Sequence, residues 1–185
     1  MSINKNQRNS VSRLLKYSNK LIKKYKNKNN LAVVFDIDDT LIENMRIGNG
    51  EIITIPIQGM LDVYEKFAGQ DNISIFLVTA RPETYRGETL NMLEEVGITD
   101  FVHLYHRPLI YLKKRKLDPR ECVCFYKETA RMKIENDFNK TIILNVGDQL
   151  TDHQGGYFIE GWKMPARYTH DCMHTNPVEY PGIVR

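Results

Sequence analysis

The feature that most constrains the fold is a set of three short apolar segments, each followed at once by polar residues. The segments are Leu31–Phe35, Ile73–Val78 and Thr141–Val146. Their content of valine, isoleucine and leucine is typical of strands buried on both faces of a sheet. Stretches with helical periodicity lie between them: Met60–Phe67, Pro82–Val96 and Lys127–Phe138. This alternation predicts an α/β fold with a mainly parallel sheet flanked by helices.

Three weaker patterns complete the predicted architecture. Ile47–Ile57 alternates apolar residues around Asn49-Gly50, which predicts a small hairpin. Phe101–Tyr105 and Trp162–Tyr168 have the length and composition of two further short strands.

Size and composition indicate one ordinary globular domain. The chain has 185 residues, of which 42% are hydrophobic and 26% charged. It has no apolar run of membrane-spanning length, and its polar, Lys-rich start does not resemble a secretory signal. Its three cysteines do not suggest a disulfide framework, so we expect reduced thiols in the cytoplasm, or in a host cytoplasm if the source is a virus.

The charge is unevenly distributed along the chain. Residues 1–30 hold nine of the 26 basic residues and no acidic one, so the other 17 share residues 31–185 with all 23 acidic residues. Apolar side chains at helical spacing between Val11 and Tyr25 predict that this segment packs on the body as a helix. We therefore divide the chain into a basic N-terminal helical extension (1–30) and a main domain (31–185). The basic residues could bind an anionic partner or form a solvated helix face.

Chemistry is expected at the polar residues that follow the strands. In parallel sheets, ligands bind beyond the carboxyl ends of the strands. One such end carries Asp36-Ile37-Asp38, the next Thr79, and the last Asp148 with Asp152. Carboxylates from separate strand ends repel one another unless a cation lies between them. Oxygen ligands of this kind suit Mg²⁺, which is the cofactor we expect.

These residues resemble a known family. Asp36-x-Asp38-x-Thr40, then Thr79, Lys127 and Asp148 with Asp152, resembles in order and spacing the four motifs of the haloacid dehalogenase-like (HAD) superfamily, across residues 31–152. The flanking sequences Thr79-Ala80-Arg81 and Trp162–Pro165 are similar to its acid phosphatase branch, subfamily IIIB, which includes plant and bacterial class B enzymes. The resemblance implies a Rossmannoid phosphatase domain over residues 31–185.

The resemblance also implies roles for individual residues. Asp36 would be the nucleophile that forms an aspartyl-phosphate, and Asp38 the general acid and base. Thr79 and Lys127 would bind the oxygens of the transferring phosphoryl group. The implied Mg²⁺ ligands are Asp36, the main-chain carbonyl of Asp38, Asp148 and Asp152.

Four further residues match positions where substrate contact is implied: Thr40, Ala80, Arg81 and Arg131. Each polar member has an alternative role. Thr40 could act as a capping hydroxyl, and the two arginines could form salt bridges. The segment His170–His174 has donors suited to zinc, but it lacks a second ligand pair, so we expect a surface loop there.

The spacing of the motifs leaves room for little or no cap domain, so the site should be open to large substrates. The first hypothesis is a phosphomonoesterase acting on nucleotides or other small phosphate esters. The alternative is a phosphatase of a 3′ or 5′ polynucleotide end, which the basic residues 1–30 and Lys113–Lys116 would suit. A non-catalytic binding or storage protein is a third, disfavoured because Asp36 and Asp38 are both present. A homo-oligomer is compatible with the sequence, and no membrane partner is expected.

Overall fold

The computed structural model describes residues 5–48, 50–109 and 119–166. The predictions for Lys113–Lys116 and His170–His174 lie outside these residues. The described chain forms five helices and seven strands: α1 (Lys5–Tyr25), β1 (Leu31–Phe35), β2 (Ile42–Arg46), β3 (Ile52–Pro56), α2 (Met60–Ala68), β4 (Ile73–Pro82), α3 (Arg86–Glu95), β5 (His103–Arg107), α4 (Pro119–Asp137), β6 (Thr141–Gly147), α5 (Leu150–His153) and β7 (Gly161–Lys163).

Five strands form one sheet in the order β5-β4-β1-β6-β7, and every neighbouring pair is parallel. The central strand β1 pairs with β4 from Leu31 opposite Ile73 to Phe35 opposite Leu77. Its other edge pairs with β6. The predicted α/β fold with a parallel sheet flanked by helices is confirmed.

The sheet is buried on both faces because successive side chains of each strand point to opposite sides. Leu31, Val33 and Phe35 of β1 join a large core with residues of α1, α2 and α3. Ala32 and Val34 join a smaller core with residues of α4. The helices therefore form one layer on each face, and the carboxyl ends of the strands meet at one edge.

Helix α1 packs against the large core along the predicted stripe, with Val11, Leu14 and Leu21 buried. It runs antiparallel to β7. Near its start, the Ser10 hydroxyl accepts a hydrogen bond of 3.2 Å from the Trp162 indole. Near its end, Lys24 pairs with Glu160, just before β7. The first half of α1 therefore lies at the carboxyl edge of the sheet.

Several boundaries differ from the sequence-based prediction. The hairpin is formed by β2 and β3, and its first strand starts at Ile42 rather than at residue 47. This strand was missed because its polar residues, which include Glu43 and Asn44, hide the apolar alternation. The predicted helix at Pro82 begins instead with a short 3-10 turn, because β4 continues as far as Pro82.

The described part of the chain contains no cap domain. Between β1 and β4 it forms only the hairpin and α2, and between β4 and α4 it adds only the 3-10 turn, α3 and β5. Among the described helices, none is long and apolar enough to cross a membrane. Cys124 is disulfide-bonded, so the expectation of reduced thiols is wrong for this residue. Three cysteines at irregular spacing gave no signal of this bond, and the cytoplasmic location stays a prediction.

Candidate active site

The candidate site lies at the carboxyl edge of the sheet, where β1 and β6 end side by side. The amide of Asp36 continues the pairing of these strands by donating to the Val146 carbonyl at 2.9 Å. Asp148 follows β6 directly, and Asp152 lies one turn later in α5. Gly147 is required here, since a Cβ at this position would lie 2.4 Å from the Asp152 side chain. The absence of a side chain at Gly147 thus leaves room for the Asp152 side chain next to the end of β6.

The carboxylates of Asp36, Asp148 and Asp152 form a cluster, called here the carboxylate trio. One ligand oxygen from each lies within 4.8 Å of the others, and all three residues are buried. Lys127 of α4 reaches the trio and is 3% exposed. Its ammonium group donates to Asp36 Oδ1 at 2.7 Å and also to Asp152 Oδ1. Four predicted site residues, two after strands and two in helices, are thus in one place.

The electrostatics of the trio favour a bound cation. Burial raises the pKa of Asp36 well above its ordinary value; Lys127 opposes this shift, and the other two carboxylates add to it. Burial, together with Asp152, raises the pKa of Asp148 to about 7. Burial disfavours the charge on Lys127, but Asp152 and Asp36 hold its pKa above the ordinary value. One ammonium therefore does not balance three carboxylates, and the donor set fits a hard divalent cation.

Asp38 is not a member of the trio, and its side chain is partly exposed. Its carboxylate takes two hydrogen bonds from the Arg81 guanidinium, at 2.8 Å to Oδ2 and 2.7 Å to Oδ1. The Asp38 side chain is 39% exposed and the Arg81 side chain is 21% exposed. Asn44 of the hairpin approaches Asp38 Oδ1 at 3.4 Å, and Thr54 in turn donates to Asn44. Asp38 is thus oriented by a bidentate ion pair and has access to solvent.

Three other predicted residues line the same edge. Thr40 is fully buried, and its hydroxyl donates to Asp36 Oδ2 at 3.3 Å. Thr79, also fully buried, accepts a hydrogen bond of 3.1 Å from the Arg81 amide. Ala80 lies between Thr79 and Arg81 in β4 and is half-buried. The tight turn that presents Asp38 places Asp39 at a φ of 54°, a left-handed conformation that aspartate tolerates better than most residues.

Arg131 is buried behind the site. Its guanidinium donates to the carbonyls of Asp152 at 2.6 Å, of Gly156 at 2.9 Å, and of Gln154. It also stacks over the Phe158 ring, with its Cζ 5.3 Å from the ring centroid. These contacts fix the end of α5 and the loop that follows it, and α5 carries Asp152.

Comparison with known proteins defines the family. Residues 53–167, more than half of the chain, match the sequence model of the HAD superfamily, subfamily IIIB (Acid phosphatase). The chain belongs to this acid phosphatase family. It is therefore a phosphatase, whose substrates are phosphate esters. The match includes Thr79, Lys127, Asp148 and Asp152, whereas Asp36 and Asp38 precede it.

One solved structure supports the same fold. The class C acid phosphatase from Bacillus anthracis is 16% identical, with a TM-score of 0.59 over 83% of this chain and 67% of that chain. The Pnkp1/Rnl/Hen1 RNA repair complex gives a TM-score of 0.49 at 18% identity, over 69% of this chain and 39% of that one, which is too weak a likeness to define a fold. No curated protein matches the sequence.

Sequence reasoning missed a polar network behind the site of this acid phosphatase. Asn145 of β6 donates to the Asp152 carbonyl at 2.9 Å, and its amide lies 3.5 Å from His153 Nδ1. His153 Nε2 lies 3.2 Å from the Gly147 carbonyl. Burial lowers the pKa of His153 to about 4, so the ring is neutral at pH 7. The one signal in the sequence was a polar Asn145 inside an otherwise apolar strand.

A second unexpected residue is Gln149. Its side-chain amide donates to Asp148 Oδ2. Its main-chain amide donates to Asp152 Oδ2 at 2.8 Å, and its side chain accepts from the main-chain amide of Asp152. These two contacts form a capping box at the start of α5. Gln149 therefore orients both carboxylates that follow β6. The sequence analysis predicted Asp148 and Asp152 as site residues, but no pattern predicted the capping contact of Gln149.

Proposed function

We propose that this acid phosphatase is a Mg²⁺-dependent phosphomonoesterase that forms an aspartyl-phosphate on Asp36. The observation that carries the proposal is the bridge from Lys127 to two members of the carboxylate trio, Asp36 and Asp152, at the carboxyl edge of the sheet. A phosphate monoester is a dianion, so a carboxylate can attack it only if positive charge lies beside both groups. Lys127 supplies that charge next to Asp36.

In the first displacement, a carboxylate oxygen of Asp36 attacks phosphorus and the bond to the ester oxygen breaks. Lys127 and Thr40, which contact the two Asp36 oxygens, orient the nucleophile. Thr79 lies on the adjacent strand, where its hydroxyl would donate to a phosphoryl oxygen. Asp38, in its protonated form, gives its proton to the departing alkoxide, which leaves as an alcohol.

In the second displacement, water attacks the phosphorus of the acyl-phosphate, and Asp38 takes the proton that this water loses. Phosphate leaves and the Asp36 carboxylate is restored. Exposure suits Asp38 to this work, because it must meet the leaving group first and water afterwards. Arg81 orients Asp38 in its ionised form, when the carboxylate is ready to take the proton of the attacking water. Arg131 has a positioning role, since it holds the backbone around Asp152.

The residues that would hold Mg²⁺ are the carboxylate trio and the main-chain carbonyl of Asp38. When bound, the ion would offset the negative charge of these carboxylates and of the phosphoryl group. The preference for Mg²⁺ rests on an all-oxygen donor set without a described cysteine or histidine ligand.

The substrate that the site suits best is a nucleotide or another small phosphate ester. The described chain has no cap domain that would enclose a substrate. A polynucleotide end is a second candidate, because the first half of the basic helix α1 lies at the carboxyl edge of the sheet.

Steady-state phosphate release tests the proposal. A panel of p-nitrophenyl phosphate, nucleoside 5′- and 3′-monophosphates, a sugar phosphate and phosphorylated oligonucleotides is assayed with Mg²⁺ and, in parallel, with EDTA. We expect Mg²⁺-dependent turnover of the nucleotides. Equal rates in EDTA would contradict the metal requirement, and the absence of release from every ester would contradict the proposed activity.

A further inference from the structure

A polar groove lies between α1 and the last strand of the sheet, and none of its lining residues is used in the proposed reaction. Its volume is about 380 Å³, within the range of small-molecule sites. Four residues of α1 line one side: Asn6, Asn9, Ser10 and Arg13. The other side is lined by Lys163 at the end of β7 and by the two residues after it. The groove thus lies between the basic helix and the last strand of the sheet.

The groove walls are suited to an anion. Arg13 and Lys163 contribute two positive charges from two different elements, and among the described residues no carboxylate lines the groove. Arg13 is held in place by its stacking over Trp162, with the Cζ 5.9 Å from the ring centroid. The side-chain amide of Asn9 adds a neutral hydrogen-bonding group on the same wall.

Lys163 connects the groove to the carboxyl edge of the sheet by a hydrogen bond. Its ammonium group donates to the main-chain carbonyl of Asp148 at 3.0 Å. The next residue, Met164, donates its amide to the Gly147 carbonyl at 2.8 Å. One wall of the groove is therefore hydrogen-bonded to the loop that carries Asp148, one member of the trio.

The charges of α1 divide into two groups by position. Arg13 is in the half of the helix that contacts Trp162 and Met164 at the carboxyl edge. Lys24 pairs with Glu160 at the other end of β7, away from the carboxyl edge. Of the basic residues in the first half of α1, only Arg13 is among the described residues that line the groove.

We propose that this groove binds a second phosphate group carried by the leaving group of the substrate. The proposal rests on the proposed phosphatase function and narrows its substrate class to esters that bear two phosphates. While one phosphate reacts at Asp36, the other lies between Arg13 and Lys163. This chemistry is shared by a nucleoside bisphosphate and by the phosphorylated end of an oligonucleotide.

The test compares Arg13→Gln with Arg8→Gln. Arg8 lies on the same helix and is exposed, but it does not line the groove, so its variant removes the same charge elsewhere. Lys163 is left unchanged, because it also supports Asp148. The measured quantity is the preference, defined as kcat/KM for a two-phosphate substrate divided by kcat/KM for adenosine 5′-monophosphate. Adenosine 3′,5′-bisphosphate and a 5′-phosphorylated oligonucleotide are the two substrate arms.

We expect Arg13→Gln to lower the preference about tenfold, which corresponds to about 1.4 kcal/mol, and Arg8→Gln to leave it unchanged. A drop for adenosine 3′,5′-bisphosphate alone identifies the small substrate, and a drop for both arms includes the polynucleotide end. If Arg13 only stabilised α1 by stacking on Trp162, both rate constants would fall together and the preference would not move. That result would overturn the proposal.

A binding measurement keeps the proposal testable even if no ester is hydrolysed. In Asp36→Asn protein with Mg²⁺, calorimetry measures the Kd of adenosine 3′,5′-bisphosphate. The Arg13→Gln change should weaken binding about tenfold, and Arg8→Gln should not. Equal affinities in the two double variants would overturn the groove assignment, whatever the fate of the proposed function.

Discussion

Asp36 and Asp38 are two residues apart in the sequence, yet they differ in burial and in the charged groups around them. Asp36 is buried beside two other carboxylates and is paired with Lys127. Asp38 is partly exposed and is paired with Arg81. Strand β1 ends before Asp36, and the tight turn that follows directs the two side chains to different surroundings. In the proposed reaction, the nucleophile and the general acid and base would thus differ in depth below the surface, although they are neighbours in the sequence.

The largest expected effect is at the buried member of the pair. Asp36→Asn should lower kcat by a factor of at least about a thousand, because an amide cannot form the acyl-phosphate. The change is nearly isosteric, so the circular dichroism spectrum should stay unaltered. Turnover of p-nitrophenyl phosphate near the wild-type rate would remove the distinction between the two aspartates.

The exposed member should give a smaller effect that depends on the leaving group. Asp38→Asn should lower kcat about 10²–10⁴-fold on an alkyl phosphate, the usual contribution of a general acid and base. On p-nitrophenyl phosphate the loss should be smaller, because this phenolate leaves without a proton. The ratio of the two losses is the measurement. Equal losses on both substrates would indicate that Asp38 does not protonate the leaving group.

The two carboxylates after β6 should also differ. Asp148→Asn should raise the Mg²⁺ concentration for half-maximal rate at least about tenfold. Asp152→Asn should raise it less, but should lower the free energy of unfolding in EDTA by about 1–3 kcal/mol, because Asp152 binds Lys127 and caps α5. Metal titration and urea unfolding measure the two effects. Identical metal dependence for both variants would contradict the assignment.

The smallest expected effect is a pH dependence of stability in EDTA. The pKa of Asp148 rises from an ordinary 3.8 to about 7, so between these values the folded chain binds more protons at this group than the unfolded chain. Stability from this group is therefore lost as pH rises. His153 works in the opposite direction, since its pKa falls from 6.5 to about 4.

Comparison with Asp148→Asn cancels the contribution of His153. The Tm of wild type relative to this variant should fall as the pH rises from about 4 to about 7 in EDTA. Mg²⁺ should raise the wild-type Tm more at the higher pH, where protons compete less for the carboxylates. A Tm difference that stays constant across this range would contradict the raised pKa of Asp148.

The sequence was sufficient to predict the sheet and the residues at its carboxyl edge. Apolar strands buried on both faces are readable from composition alone, as for Leu31–Phe35, and the polar residues after them mark the strand ends. The contacts were not readable. Pairing of Asp38 with Arg81 depends on the turn at Asp39, whose φ of 54° no local pattern indicated.

Residues behind the site were harder to predict, for a physical reason. Arg131 makes its contacts with main-chain carbonyls, which every residue possesses, so its partners leave no trace in the sequence. The groove between α1 and residues 163–165 depends on the antiparallel packing of α1 and β7. This packing joins residues far apart in the sequence, since 152 positions separate Ser10 from Trp162. Such contacts follow from tertiary packing rather than from any local propensity.

Chemical trapping of the phosphoenzyme tests the central claim most directly. Asp38→Asn protein is mixed with Mg²⁺ and p-nitrophenyl phosphate, quenched in acid at a series of times and reduced with borohydride, which converts an acyl-phosphate of aspartate to homoserine. Peptide mass spectrometry then locates the modified residue. We expect homoserine at position 36, with a yield that follows the burst of p-nitrophenolate. Phosphate release without homoserine at position 36 at any quench time would contradict the assignment of Asp36 as the nucleophile.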